Sequence, residues 1–156
     1  MNLLPMQNET IVSSLKAREV IQQIQNVTAP PTRDKKELDT NTQFIGFIDQ
    51  MTFRLSMKLK VPENFSPIIY GRVDETSLGS IVYIRFRLFF SSQLFLVFWS
   101  SICLLAFLLF FFLFKEPLYA SLALLVGILN YSISVINFKR KSRESLTALL
   151  YVLKMD

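Results

Sequence analysis

The side chains that could carry chemistry in this 156-residue chain are few, and their types exclude most kinds of active site. The chain has no His and 1 Cys, which excludes histidine catalysis, His ligation of a metal, an intrachain disulfide and a CxxC motif. Its 4 Gly are not spaced as a nucleotide-binding loop. Asp49 and Asp74-Glu75 lie at predicted turns, where acidic residues are ordinary. We therefore predict that the protein is not an enzyme and needs no cofactor or metal.

Small and polar residues in the second of two long apolar segments form a candidate packing site. Ala123 and Gly127 are four residues apart, a spacing typical of helices that pack closely in membranes. One alternative is a polar path through the membrane, lined by Asn130, Ser132 and Ser134. No ionisable side chain lies in either segment, which disfavours a proton relay or an ion carrier. The predicted interhelical packing residues are Ala123, Gly127, Asn130 and Ser134.

Basic side chains gather at both outer ends of the apolar region, whereas the short connection inside it holds only Lys115. Such an asymmetry sets the orientation of membrane spans, and we favour this interpretation over a nucleic-acid patch. Contact with anionic lipid headgroups is compatible with it, and we expect no nucleic acid. The predicted membrane-surface residues are Arg85, Arg87, Lys139, Arg140, Lys141 and Arg143.

Two uncharged segments, residues 94–114 and 118–138, are predicted to position these residues as membrane spans. An α-helix of about 20 apolar residues crosses a hydrocarbon core of about 30 Å. Only Lys115-Glu116-Pro117 separates the segments, so residues 91–138 predict a tight antiparallel transmembrane hairpin. Both termini then lie on one side, and the basic excess predicts that this side is cytoplasmic. We expect no cleavable signal at the N-terminus.

Residues 1–90 predict a cytoplasmic α+β region that holds 11 basic and 9 acidic side chains up to Arg87. Apolar residues at three- and four-residue spacing predict a helix over 14–27, and alternation predicts a strand over 51–61. Residues 44–48 are its predicted antiparallel partner, and 68–74 with 80–88 form a second predicted hairpin. The last strand leads almost directly into the first span, so we expect the sheet on the membrane surface.

Residues 139–156 predict a basic tail with a short amphipathic helix. Its apolar face could lie on the membrane, pack on the sheet or bind a partner, and these alternatives stay open here. The residues of this tail face are Leu146, Leu149, Leu150 and Leu153. The predicted fold is therefore a membrane α+β protein: an N-terminal helix, about four antiparallel strands, a two-helix transmembrane hairpin and a short C-terminal amphipathic helix.

Four short motifs follow each other from Phe44 onward: Phe44-Ile45-Gly46-Phe47-Ile48, Phe53-Arg54-Leu55, Asn64-Phe65-Ser66-Pro67-Ile68-Ile69-Tyr70-Gly71-Arg72-Val73 and Gly79-Ser80-Ile81. With them the chain resembles small bacterial two-span membrane proteins of unknown function, over roughly residues 10–138. The resemblance implies this architecture and no activity, because the motifs consist of turn and strand residues.

These features predict a non-enzymatic integral membrane protein that acts as an accessory, stabilising or assembly subunit of a larger membrane complex, such as a respiratory or photosynthetic one. Its expected partners are the lipid bilayer and larger integral membrane subunits. One alternative is a homo-oligomeric channel or lipid-handling protein. Another is a membrane-anchored sensor that binds a ligand through Arg54, Lys58 and Lys60 on the sheet.

Overall fold

The computed structural model describes residues 5–31, 42–58 and 65–153, which form a sheet, one short helix and two long helices. The elements in chain order are β1 Met6–Ser13, α1 Ala17–Asn26, β2 Thr28–Ala29, β3 Phe44–Asp49, β4 Thr52–Met57, β5 Pro67–Thr76, β6 Gly79–Leu88, α2 Phe90–Leu108 and α3 Pro117–Val152. Leu109–Leu113 extend α2 as a short π-helix. The coarse prediction of a helix, a sheet and two long apolar helices is thus confirmed.

The sheet has six strands in the order β1-β6-β5-β4-β3-β2, where about four were expected. Both predicted hairpins are present, because β3 pairs antiparallel with β4 and β5 pairs antiparallel with β6. The strand β1 adds antiparallel to β6, and the two-residue β2 adds parallel to β3, so the sheet is mixed. Asp74 and Glu75 lie inside β5 and not at a turn, since the chain reverses at Ser77-Leu78.

The predicted boundaries of the first helix and of the clearest strand also shift. The helix α1 begins at Ala17 because the Lys16 N–H is bonded by the Glu19 carboxylate, which caps its first turn. It ends at Asn26, one residue before the expected end. The strand β4 covers Thr52–Met57, whereas part of the predicted strand, residues 59–61, lies outside the described residues.

One face of the sheet, called the inner face, is buried against α1 and the second half of α3. Leu55, Ile69, Ile84 and Phe86 are fully or almost fully buried there. The residues that cover them are Val20 and Ile24 from α1, with Phe138, Leu149 and Leu153 at and beyond the end of the predicted second span. The opposite face, called the outer face, carries alternating exposed residues such as Tyr83, Arg85 and Arg87 of β6.

The helix α3 contains both the predicted second span and the predicted short tail helix, which was expected to be a separate element. The chain has no Gly or Pro between Gly127 and Val152, so nothing in the sequence breaks the helix there. Lys and Arg are good helix formers, and Arg140 forms an i,i+4 ion pair with Glu144 at 3.5 Å. The basic run therefore continues the helix.

The helices α2 and α3 form a hairpin, and both are long and apolar enough to cross a membrane. Its connection is short because Lys115 adopts a left-handed conformation with φ 55°. The Glu116 N–H then donates to the Phe110 carbonyl at 2.9 Å, which closes the end of the π-helix. The phenyl ring of Phe110 also lies 5.7 Å from the ring of Tyr119 across the connection.

Candidate functional site

The contact between α2 and α3 is close at Gly127, one of the predicted packing residues. A Cβ atom placed on Gly127 would lie only 3.1 Å from the Cβ of Cys103, which is 9% exposed. The absent side chain therefore lets the two helices approach each other at this level. Ala120 and Ser134 are almost fully buried on the same helix, and Ala123 is half-buried between them.

Asn130 and Ser134 lie next to each other, but their described hydrogen bond runs along α3 and not between the helices. The Ser134 hydroxyl donates to the Asn130 carbonyl at 2.8 Å. The Nδ2 atom of Asn130 is buried and has no hydrogen-bond partner within residues 5–31, 42–58 and 65–153. The Ser134 side chain and the Asn130 Nδ2 atom are therefore both buried, and neither is open to the surface as the lining of a lumen would be.

The six predicted membrane-surface residues fall into two groups on different sides of the sheet. Arg85 and Arg87 lie on the outer face of β6 and are exposed. Lys139, Arg140, Lys141 and Arg143 lie on α3, which packs on the inner face. Glu144 pairs with Lys141 at 3.0 Å and with Arg140, and so offsets part of the second group. The structure does not bring the six together as one patch.

The apolar residues of the predicted tail face have unequal surroundings. Leu149 is 0% exposed and Leu153 1% exposed, and both belong to the core under the sheet. Leu146 is partly buried against the same core, whereas Leu150 is half-buried outside it. For Leu149 and Leu153, packing on the protein's own sheet is therefore the arrangement that the structure shows.

A row of side chains that sequence reasoning did not assemble crosses five strands on the outer face. The pairing registers place Phe47, Arg54, Tyr70, Arg85 and Asn8 side by side on β3, β4, β5, β6 and β1. The guanidinium carbon of Arg54 lies 5.4 Å from the centre of the Tyr70 ring, a cation–π arrangement. The Arg85 Nε donates to the Asn8 Oδ1 at 3.2 Å.

Two more arginines border this row, one on each side along the strands. Arg87 lies on the side that leads into α2, and Arg72 lies on the other side, where its Nε contacts the Asp74 carboxylate at 2.7 Å. An open depression of about 520 Å³ lies between them, with Tyr70, Arg85 and Tyr83 also lining it. We call Arg54, Arg72, Arg85, Arg87 and their neighbours Tyr70 and Tyr83 the arginine face.

The sequence alone predicts only part of the arginine face. The alternation in residues 80–88 predicts that Tyr83, Arg85 and Arg87 share one side, but the register to β4 and β1 needs the fold. Of the other residues named for a ligand surface, Lys58 is half-buried at the end of β4, and Lys60 lies outside the described residues.

No group of three or more Cys, Asp or Glu side chains that could hold a metal ion occurs in the described part of the chain. Comparison with known proteins does not assign a family: no protein-family model, no curated protein and no solved structure matches this chain. The resemblance to small bacterial two-span proteins therefore stays a prediction.

Proposed function

We propose that this chain is a non-enzymatic, two-span membrane protein that acts as an accessory subunit of a larger membrane complex. The main observation in support is the continuity of α3, Pro117–Val152, from the apolar hairpin into the core of the sheet. A continuous helix holds the hairpin and the sheet in a fixed relation. A partner bound at both levels is thereby held in one geometry, which is what a stabilising or assembly subunit needs.

The apolar surface of the hairpin is the first of two binding surfaces in this proposal. On α2 only Leu96 and Cys103 are buried, whereas large side chains such as Phe98 (64% exposed) and Trp99 (39% exposed) are accessible. Lipid chains cover part of such a surface in a bilayer, and apolar helices of a larger subunit pack on the rest by van der Waals contact.

The orientation of the sheet supplies the second surface. Residues 139–152 extend α3 by about 20 Å beyond the predicted span, and the inner face packs along this extension. Because a sheet that packs along a helix lies parallel to the helix axis, this sheet rises from the membrane instead of lying on it. Its outer face then points parallel to the membrane plane, toward the cytoplasmic parts of neighbouring membrane proteins.

A homo-oligomeric channel receives less support from the geometry. The hydroxyl of Ser134 is bonded to the backbone of its own helix, and the Asn130 amide nitrogen is buried within the chain. A lumen lined by these groups would require the hairpin to rotate or open. The accessory role needs no such rearrangement.

The test is the purification of a tagged full-length chain from its native membrane in a mild detergent, followed by amine cross-linking and mass spectrometry. We expect a larger integral membrane protein in stoichiometric amount, cross-linked to exposed Lys139 at the cytoplasmic end of the hairpin. Lys115 in the short connection provides the comparison, since its cross-links should reach only the opposite side of that partner. Recovery of the chain as a pure homo-oligomer would contradict the proposal.

A further inference from the structure

We propose that the arginine face binds an acidic, carboxylate-rich cytoplasmic segment of the partner membrane subunit. This inference rests on the proposed accessory role and specifies which surface meets the partner and with what chemistry. Within the described part of the chain, Arg54, Arg85 and Arg87 have no ion-pair partner, whereas Arg72 is paired with Asp74. Three guanidinium groups thus remain available on one exposed surface.

The sheet fixes the spacing of these guanidinium groups. Arg85 and Arg87 are two residues apart on β6, which separates their Cα atoms by about 7 Å, and Arg54 lies two strands from Arg85, at about 10 Å. The Tyr70 ring and the Asn8 amide contact the guanidinium groups of Arg54 and Arg85, which reduces the freedom that these long side chains lose on binding. A planar guanidinium with fixed donors binds a carboxylate in a bidentate manner.

Carboxylates of a protein segment match this surface better than a nucleic acid does. Single-stranded nucleic acids bind by stacking bases on free aromatic faces, and here the Arg54 guanidinium occupies a face of the central ring, Tyr70.

Anionic lipid headgroups reach only part of the arginine face in the geometry proposed above. Arg87 lies one residue before the end of β6 and close to α2, so it stands nearest to the membrane. Arg85 and Arg54 lie one row further along the strands, about 7 Å away. A flat bilayer surface therefore meets Arg87 first, whereas an acidic segment from a neighbouring subunit can contact all three arginines.

The test uses the full-length protein in nanodiscs of phosphatidylcholine and a fluorescent decaglutamate peptide as the probe. Fluorescence anisotropy should show saturable binding that weakens with added salt. We expect Arg54→Gln, Arg85→Gln and Arg87→Gln to weaken binding by about fivefold each, because each substitution removes one charged hydrogen-bond partner of the peptide carboxylates. The triple variant should bind at least about 50-fold more weakly.

A matched control is the double variant Arg140→Gln/Arg143→Gln, which removes exposed positive charge from α3 on the other side of the sheet. It should leave the peptide affinity within about twofold, because α3 is not part of the arginine face. Equal losses in the control and in the arginine-face variants would show attraction to general positive charge and would overturn the proposal. Circular dichroism should be unchanged in all of them, since each substituted side chain is exposed.

Two further measurements address the other ligand classes. In the first, a ten-nucleotide uridine oligomer replaces the peptide. If it binds more tightly than the peptide and the triple variant loses this binding, the arginine face is an RNA site and the proposal is wrong. For the second measurement, native mass spectrometry of protein purified in mild detergent counts the phosphatidylglycerol molecules that remain bound to it. If the triple variant loses them while its peptide affinity stays unchanged, the arginine face is a lipid site and the proposal is wrong.

Two outcomes distinguish the docking surface from the accessory role. If the triple variant still co-purifies with the same partner and with the same Lys139 cross-links, the accessory role stands and the arginine face is not the docking surface. If wild-type protein binds the peptide through the arginine face but purifies as a pure homo-oligomer, the docking chemistry stands and the accessory role falls.

Discussion

At the scale of single residues, the absent side chain of Gly127 controls how closely the two long helices approach. A Cβ at this position would lie 3.1 Å from the Cβ of Cys103, which leaves no room for a larger side chain. We predict that Gly127→Leu forces the helices apart, at an overpacking cost of about 1–3 kcal/mol. Cys103 is the sole thiol of the chain, so its reaction with N-ethylmaleimide reports the separation directly.

The Cys103 thiol should react about tenfold faster or more in Gly127→Leu than in the wild type, because a factor of ten corresponds to about 1.4 kcal/mol. Both proteins are compared in the same detergent. Val126→Leu is the matched control, since Val126 is the neighbouring residue, is exposed and does not face Cys103. Unchanged reactivity in Gly127→Leu would mean that the contact between the helices does not depend on this glycine.

At the scale of elements, the second half of α3 is held to the sheet by particular residues of its apolar face. Leu149 is fully buried in the core, whereas Leu150 next to it is half-buried outside the core. We predict that Leu149→Ala lowers the free energy of unfolding of the sheet region by about 2–5 kcal/mol, through lost burial and a residual cavity. Leu150→Ala should lower it by less than about 1 kcal/mol.

Thermal unfolding followed by circular dichroism in detergent measures both variants, and Leu150→Ala is the control because it makes the same change one residue away. If Leu150→Ala lowers the free energy of unfolding more than Leu149→Ala does, the tail packs on the membrane or on a partner instead of on the sheet. Equal losses would contradict the unequal burial that the structure gives these two residues.

The strands show which elements a sequence can predict and why. Residues 51–61 alternate between apolar and polar side chains, residues 82–88 have one fully apolar face, and turn residues separate each segment from its partner, so both hairpins were predictable. The strand β1 was not, because Gln7 and Glu9 stand at inward-facing positions where an apolar residue is expected. The inner face of β1 accommodates these two polar side chains because the Gln7 amide donates a hydrogen bond to the Glu9 carboxylate at 2.8 Å.

The pairing of β1 with β6 joins residues that are far apart in the chain, and no local pattern reveals it. The arginine face was not predictable for the same reason. Arg54 and Arg85 belong to different hairpins, and Asn8 lies on β1, which was not predicted. The tail shows a related limit. The run from Lys139 to Arg143 marks where an apolar span ends, but a change of polarity does not end a helix, so the continuity of α3 was not expected.

At the scale of the whole molecule, we predict one orientation in the membrane from charge and shape. Arg85, Arg87 and the basic run of α3 lie at the end of the hairpin where the sheet is attached. The opposite end has only Lys115, next to Glu116. A charged six-stranded sheet does not cross a membrane readily, and basic residues next to spans stay in the cytoplasm. The sheet, the arginine face and both ends of the chain should therefore be cytoplasmic.

Cysteine labelling checks this orientation in membrane vesicles. In a Cys103→Ala background, Glu116→Cys places a thiol in the short connection, and Tyr151→Cys places one at a residue of α3 that is 79% exposed. We predict that a membrane-impermeant maleimide labels Glu116→Cys only in right-side-out vesicles and Tyr151→Cys only in inside-out vesicles, because the hairpin puts the two positions on opposite sides. The Cys103→Ala parent, which has no thiol, sets the background of both measurements. The reverse pattern would place the arginine face outside the cell, where a cytoplasmic acidic segment could not reach it.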